Sequence, residues 1–309
     1  MIDLSLPKLN RQKSANLVKE ETPLARFVSR FREDRVAVFG LALLVVIILL
    51  ALFAPFIAPQ NPYDLAKVDL MDSRQPPGEM AADGFRMWLG SDGVGRDLLS
   101  GILYGLRISL MVGVVSGIIA ATLGLVVGLT AAYTGGKTES LMMRIVDLQL
   151  SLPTVLVALI LVAALGKGVD KIIIALVVVQ WAYYARTVRG SALVERRKEY
   201  IEAAHSLGLG HARIMFKHIL PNVLAPVIVI ATVQTAHAIA LEATLSFLGV
   251  GLPQTEPSLG VLIANGFQYL LSGKYWISTF PGLALLLTIV AINLVGDRLR
   301  DVLNPRLEK

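Results

Sequence analysis

No cysteine occurs in the 309 residues, so disulfides, thiolate metal ligands and thiol nucleophiles are excluded. Histidine is nearly as scarce, and the four imidazoles are too scattered in sequence to suggest a metal site. There is no Walker-type glycine-rich loop, no HExxH and no GxSxG. No catalytic constellation therefore emerges, and the chain is not expected to be an enzyme. Charged residues amount to 17% and aromatics to 7%. The net charge of +6 comes without an aromatic-interleaved basic surface, which argues against nucleic acid as a partner.

What the chain has in abundance is apolar length, with 55% of its residues hydrophobic. Several runs approach or exceed the ~20 residues a helix needs to cross a ~30 Å hydrocarbon core. The expected class is all-α, a polytopic membrane protein with about six transmembrane helices and membrane lipid as its surroundings. Residues 1–35 form a polar tail with eight Lys or Arg, and 26–35 reads equally as an amphipathic helix or a disordered stretch. Residues 36–58 are an uncharged first span, too long for a signal-peptide core. The connector 59–107 is rich in Pro, Gly and Asp. It ends in a stripe of Leu98, Leu99, Ile102, Leu103 and Leu106 that predicts an interfacial helix. A five-helix core, 108–296, carries spans at 108–133, 148–165, 172–185, 223–248 and 277–295, a loop at 134–140 and a linker at 249–278. The tail 297–309 is charged. Of the spans, 172–185 is the weakest, with only 14 uncharged residues before Arg186. In 108–133, Gly113, Gly117, Gly124 and Gly128 share a ~60° arc, a pattern that lets another helix backbone approach closely.

Placing the N-terminus inside assigns 21 of the 29 Lys and Arg to the cytoplasmic side and 8 to the outside, the bias expected of cytoplasmic loops. Both termini, the 134–140 loop and a polar island at 195–222 are thus expected in the cytoplasm. Ionisable residues at membrane depth are few: Asp147, His237, Glu242, and Asp297 with Arg298 at a span end. Glu242 lies about 9 Å of rise from its helix end, within reach of headgroups. A proton-coupled secondary transporter using Glu242 and His237 is the alternative reading. Such a protein normally carries more buried charge than this, so energy entering through a cytoplasmic partner fits better.

The island is the place for that partner. Tyr200, Ala203, Ala204 and Leu207 fall at i, i+3, i+4 and i+7, one face of a helix. Gly208 and Gly210 then interrupt it, and a second helical run from His211 is expected to end at Pro221.

Glu202-Ala203-Ala204, three residues, Gly208, nine residues, then His218-Ile219-Leu220-Pro221 resembles the EAA loop of bacterial ABC importer permeases. His218 stands where Ile is commoner. Residues 89–110 are similar to the LGTD-x-x-GRD…YG-x-R-x-SL segment of the C-type permeases of dipeptide, oligopeptide and nickel importers. Ser246-Phe247-Leu248-Gly249, Phe280-Pro281-Gly282 and the run from Asn293 to Asp301 resemble the same branch. Leu259 departs from a frequent Trp, and Gly101 from a frequent Arg. The resemblance implies a type I importer permease of the bacterial inner membrane, for di- or oligopeptides, with nickel or opine-type solutes as alternatives within the family. It implies a second homologous permease, two ATP-binding subunits that carry ATP and Mg, and an extracytoplasmic solute-binding protein. No cofactor would sit on this chain. The ATPase-coupling residues it implies are Tyr200, Glu202, Ala203, Ala204, Leu207, Gly208, Leu220 and Pro221.

Overall fold

A computed structural model describes residues 22–64 and 68–303, without the side chains of Pro23 and Leu24. Expectations for 1–21 and 304–309, most of the first tail and the end of the second, lie outside the described residues. Among the described residues all regular structure is helical, apart from two isolated bridges in the connector, Met80 with Arg86 and Ser91 with Asp97. Five helices are long and apolar enough to cross a membrane, or six if one bent pair counts as a single span.

The chain opens with a short amphipathic helix α1, Pro23–Glu33, which buries Phe31 and turns Arg32 and Glu33 outward. For Arg26–Glu33 this decides between helix and disordered tail in favour of helix. Asp34 ends α1 and caps α2, Arg35–Leu52, by accepting from the amides of Val36 (2.8 Å) and Ala37 (3.3 Å). Such a cap satisfies amides that a helix start leaves orphaned.

The predicted interfacial helix and second span are one helix, α3, Leu98–Thr134, 37 residues long. Its first turns are buried in the bundle, not laid along a surface: Leu98, Ile102, Leu103 and Leu106 are all covered. The reason is glycine. A Cβ on Gly105 would stand 3.1 Å from the Leu259 amide nitrogen, and one on Gly101 3.4 Å from Leu262. Both partners belong to a short helix that the linker reading did not anticipate (Leu259–Phe267).

The expected third span is broken. Helix α4, Gly136–Ser151, absorbs most of the predicted 134–140 loop and bends by 90° into α5, Thr154–Leu165. Pro153 sits at the break, where it has no N–H to continue the α4 ladder. The weakest predicted span is α6, Val169–Arg196, 28 residues. It runs on past Ala185 because its charges are answered by α4: Arg186 pairs with Asp147 at 2.5 Å and Arg189 with Glu139 at 2.5 Å.

After α7, Glu199–Ser206, the second island helix does not stop at Pro221. It continues as α8, His211–Phe247. The short linker helix is α9, Leu259–Phe267, and α10, Trp276–Leu303, closes the bundle. The glycine face of α3 packs against two neighbours. A Cβ on Gly128 would fall 2.5 Å from the Ala185 carbonyl of α6, and one on Gly113 2.8 Å from Ile239 of α8.

Glu242 does not reach headgroups. It is fully buried, and accepts from Ser246 (2.9 Å) on its own helix and Ser109 (3.2 Å) on α3. A carboxyl in that position is tolerated because its oxygens are hydrogen-bonded.

Candidate functional site

The island leaves the bundle where α6 ends and rejoins it through α8. Its anchoring is polar on one side and apolar on the other. Glu195, buried at the end of α6, accepts a short hydrogen bond from the Tyr200 hydroxyl and pairs with Lys198 at 2.7 Å. The Tyr200 oxygen accepts from Asn222 Nδ2 at 3.1 Å, and Asn222 also donates to the His218 carbonyl at 2.9 Å. Tyr200 thereby ties the start of α7 to the start of the α8 span. Burial of its hydroxyl, and then the Glu195 carboxylate, push its pKa up to about 12.

The turn is a complete Schellman motif. Gly208 has φ of +70°; its amide donates to His205 O at 2.9 Å, and that of Leu209 donates to Ala204 O at 3.2 Å. The side chains at Ala204 and Leu209 join one apolar cluster with Ile201, Ile214 and Ile219, packed on Leu129, Val188 and Ala192 of the spans. Across the turn, Tyr133 at the end of α3 meets His211 Nδ1 at 2.6 Å and stacks near His205, while Arg196 donates to Ala132 O at 2.9 Å. The loop is therefore held rigidly to α3 and α6.

Of the eight coupling residues read from the sequence, the structure divides the set. Tyr200, Glu202, Ala203, Leu207, Gly208 and Pro221 are exposed, Leu220 is half-buried, and Ala204 is in the core. The expected apolar face is thus corrected: Ala204 points inward beside Ile201, and the outward surface is shared by Tyr200, Ala203 and Leu207. Leu207 is 79% exposed and Phe216 is 56% exposed. Phe216 was missed because it stands outside the EAA spacing. The backbone around it is a π-helical stretch, Ile214–Ile219, in which the Leu220 amide bonds Met215 O five residues back. Pro221 explains the shift, since it has no amide to offer the Lys217 carbonyl. Two large apolar side chains raised on a polar loop, next to the acidic first turn of α7 (Glu199 and Glu202), suit a protein partner better than solvent.

The relay pair of the alternative reading is not assembled. His237 is exposed on α8 while Glu242 is sealed in the bundle. Among the described residues no group of three His, Asp or Glu could hold a metal ion.

Residues 124–309 match the model of the binding-protein-dependent transport system inner membrane component family, and 22–77 that of the N-terminal TM domain of oligopeptide transport permease C. The dipeptide transport system permease protein DppC of Escherichia coli (strain K12) is 41% identical over 93% of this chain and 95% of its own. The di/tripeptide transport system permease protein DppC of Pseudomonas aeruginosa (strain UCBPP-PA14) is 37% identical, covering 93% of each. Among solved structures, an inward-facing MetNI methionine ABC transporter chain aligns with a TM-score of 0.54 at 23% identity, over 65% of this chain and 96% of that one. That likeness is one of fold.

Proposed function

Since the chain belongs to the binding-protein-dependent transport system inner membrane component family, as a multi-pass inner-membrane permease of an ABC importer and not itself an enzyme, we propose that its solutes are di- or short oligopeptides. The named activities of its relatives support this. We propose further that it forms the path with a second, homologous permease, receives peptide from an extracytoplasmic binding protein, and is driven by two ATPases that carry the ATP and Mg.

Residues 195–222 are the energy inlet in this reading. One observation carries it: an otherwise polar loop holds Leu207 and Phe216 out to solvent while Ile201, Ala204 and the Schellman turn lock it to the spans. A rigid knob of that kind transmits a push, because a packed element moves with the helices it is packed on. Glu202, Ala203 and Tyr200 share the outward surface, Gly208 shapes the turn, and Leu220 and Pro221 lead into α8. Leu207 and Phe216 would enter a groove on the ATPase.

Affinity purification of the tagged chain from its native membrane in mild detergent tests this. A second permease and two ATP-hydrolysing subunits should co-purify, and peptide-loaded binding protein should stimulate hydrolysis. Uptake by the chain alone after ATP depletion would sink the proposal.

A further inference from the structure

Helix α8 carries a stripe that stays exposed or half-buried along its length among the described residues. At 100° per residue, Asn222, Pro226, Val229, Ile230, Val233, His237, Ala240, Thr244 and Phe247 fall within a ~100° arc, and every one of them is exposed or half-buried. Close beside this arc, Val223, Gln234, Ala236 and Leu241 are buried.

The stripe is not lipid-like. His237 is exposed in the interior of a spanning helix, and no hydrogen bond or ion pair is made to it among the described residues. An imidazole facing acyl chains at that depth would forgo its hydrogen bonds in hydrocarbon; polar side chains within spans face a bundle interior or a water-filled cavity instead. At the end nearer the island, Asn222, Pro226, Val229 and Ile230 of the same stripe line a cavity of about 1010 Å³ together with Thr187 and Ser191 of α6, Arg26 and Phe27 of α1 and Arg300 of α10. From Ile230 to His237 is about 10 Å of rise, so the imidazole continues the wall of that cavity toward the membrane centre.

We propose that this arc of α8 is the chain's wall of the translocation path and that His237 contacts the peptide in transit, donating an imidazole N–H to its carbonyl or carboxylate oxygens. The second clause rests on the peptide reading above; the first does not. The side chain is exposed and makes no hydrogen bond or ion pair among the described residues, so substitutions at 237 read transport more than stability.

The absence of cysteine makes the test clean. In the reconstituted importer with its partner subunits and binding protein, His237→Cys is treated with a charged, membrane-impermeant methanethiosulfonate, and the mass of this chain alone is read. Reaction in the assembled, nucleotide-free complex is the expected result. A thiol that reacts only after denaturation would overturn the placement, since the arc would then be dry, packed by the second permease or by lipid.

Dialanine uptake at saturating binding protein should fall roughly two- to tenfold in His237→Ala, the loss of one net hydrogen bond. It should recover in His237→Gln, which keeps an N–H donor. Unchanged uptake in His237→Ala would overturn the contact. If the wild-type complex moved no dialanine while the thiol still reacted, the peptide reading would fail and the placement would stand.

Discussion

Gly208 adopts φ of +70° in a place where an added Cβ would meet nothing within 4 Å. What makes it glycine within this chain is therefore the backbone, since a left-handed L-residue costs roughly 1–2 kcal/mol. Gly208→Ala should weaken coupling between peptide binding and ATP hydrolysis in the reconstituted importer. Gly208→Asn should do so less, because Asn enters that conformation more readily. Equal losses in the two variants would mean that the ATPase, and not the turn, demands the glycine. At Tyr200 the raised pKa has a defined sign. The neutral phenol is favoured in the folded loop, so its stabilisation is complete below the ordinary value near 10 and is lost as pH rises through about 12. Across the physiological range Tyr200 stays a donor to Glu195. Gly208 was legible in the sequence through its spacing after Glu202-Ala203-Ala204. The inward turn of Ala204 was not, because an eight-residue helix with Ile201 and Ala204 on one side and Tyr200 and Leu207 on the other offers two weak stripes. Which of them meets the spans depends on the exit direction of α6.

At the scale of elements, the glycine face of α3 is the clearest case of sequence dictating packing. Four small residues on one arc admit α6 at backbone distance and the side chains of α8, and the closest approaches, those to α6, involve carbonyl and Cβ atoms that cannot rotate away. Gly128→Val should therefore lower the thermal stability of the purified permease complex, by the roughly 1–3 kcal/mol typical of overpacking. Gly190→Val, on α6 with nothing within 4 Å of its Cβ, should leave it nearly unchanged. A scanning-fluorimetry comparison of the two decides. Helices were harder to read where charge interrupts them. The run 172–185 looked too short because Arg186 and Arg189 follow, yet both are paired by Asp147 and Glu139 from α4. Pro221 looked like a terminus, while Pro153 lies within the expected span 148–165. One is absorbed by a π-helical turn and the other makes a 90° break. A proline states that a ladder bond is missing, not what the neighbouring backbone does about it.

For the whole molecule, the bias of 21 Lys and Arg against 8 predicts that the island and the connector–linker end lie on opposite sides of the membrane. The cysteine-free background offers a direct measurement. In intact spheroplasts an impermeant thiol reagent should reach Thr255→Cys, exposed in the linker, and should reach Phe216→Cys only after permeabilisation. The reverse pattern would invert the topology and remove the island from the ATPases. The sequence by itself determined the class, the approximate number of spans, the glycine seam and the position of the loop. Each depends on local composition or on a repeat that one helix carries alone: apolar length, charge bias, a 3.6-residue period. Tertiary structure decided the rest. It sealed Glu242 between two serines, buried the start of α3 under α9, put Ala204 in the core, raised Phe216 to the surface and kept His237 of α8 exposed. Each of those outcomes depends on which helix stands opposite, and a single chain's sequence states its faces without stating their neighbours.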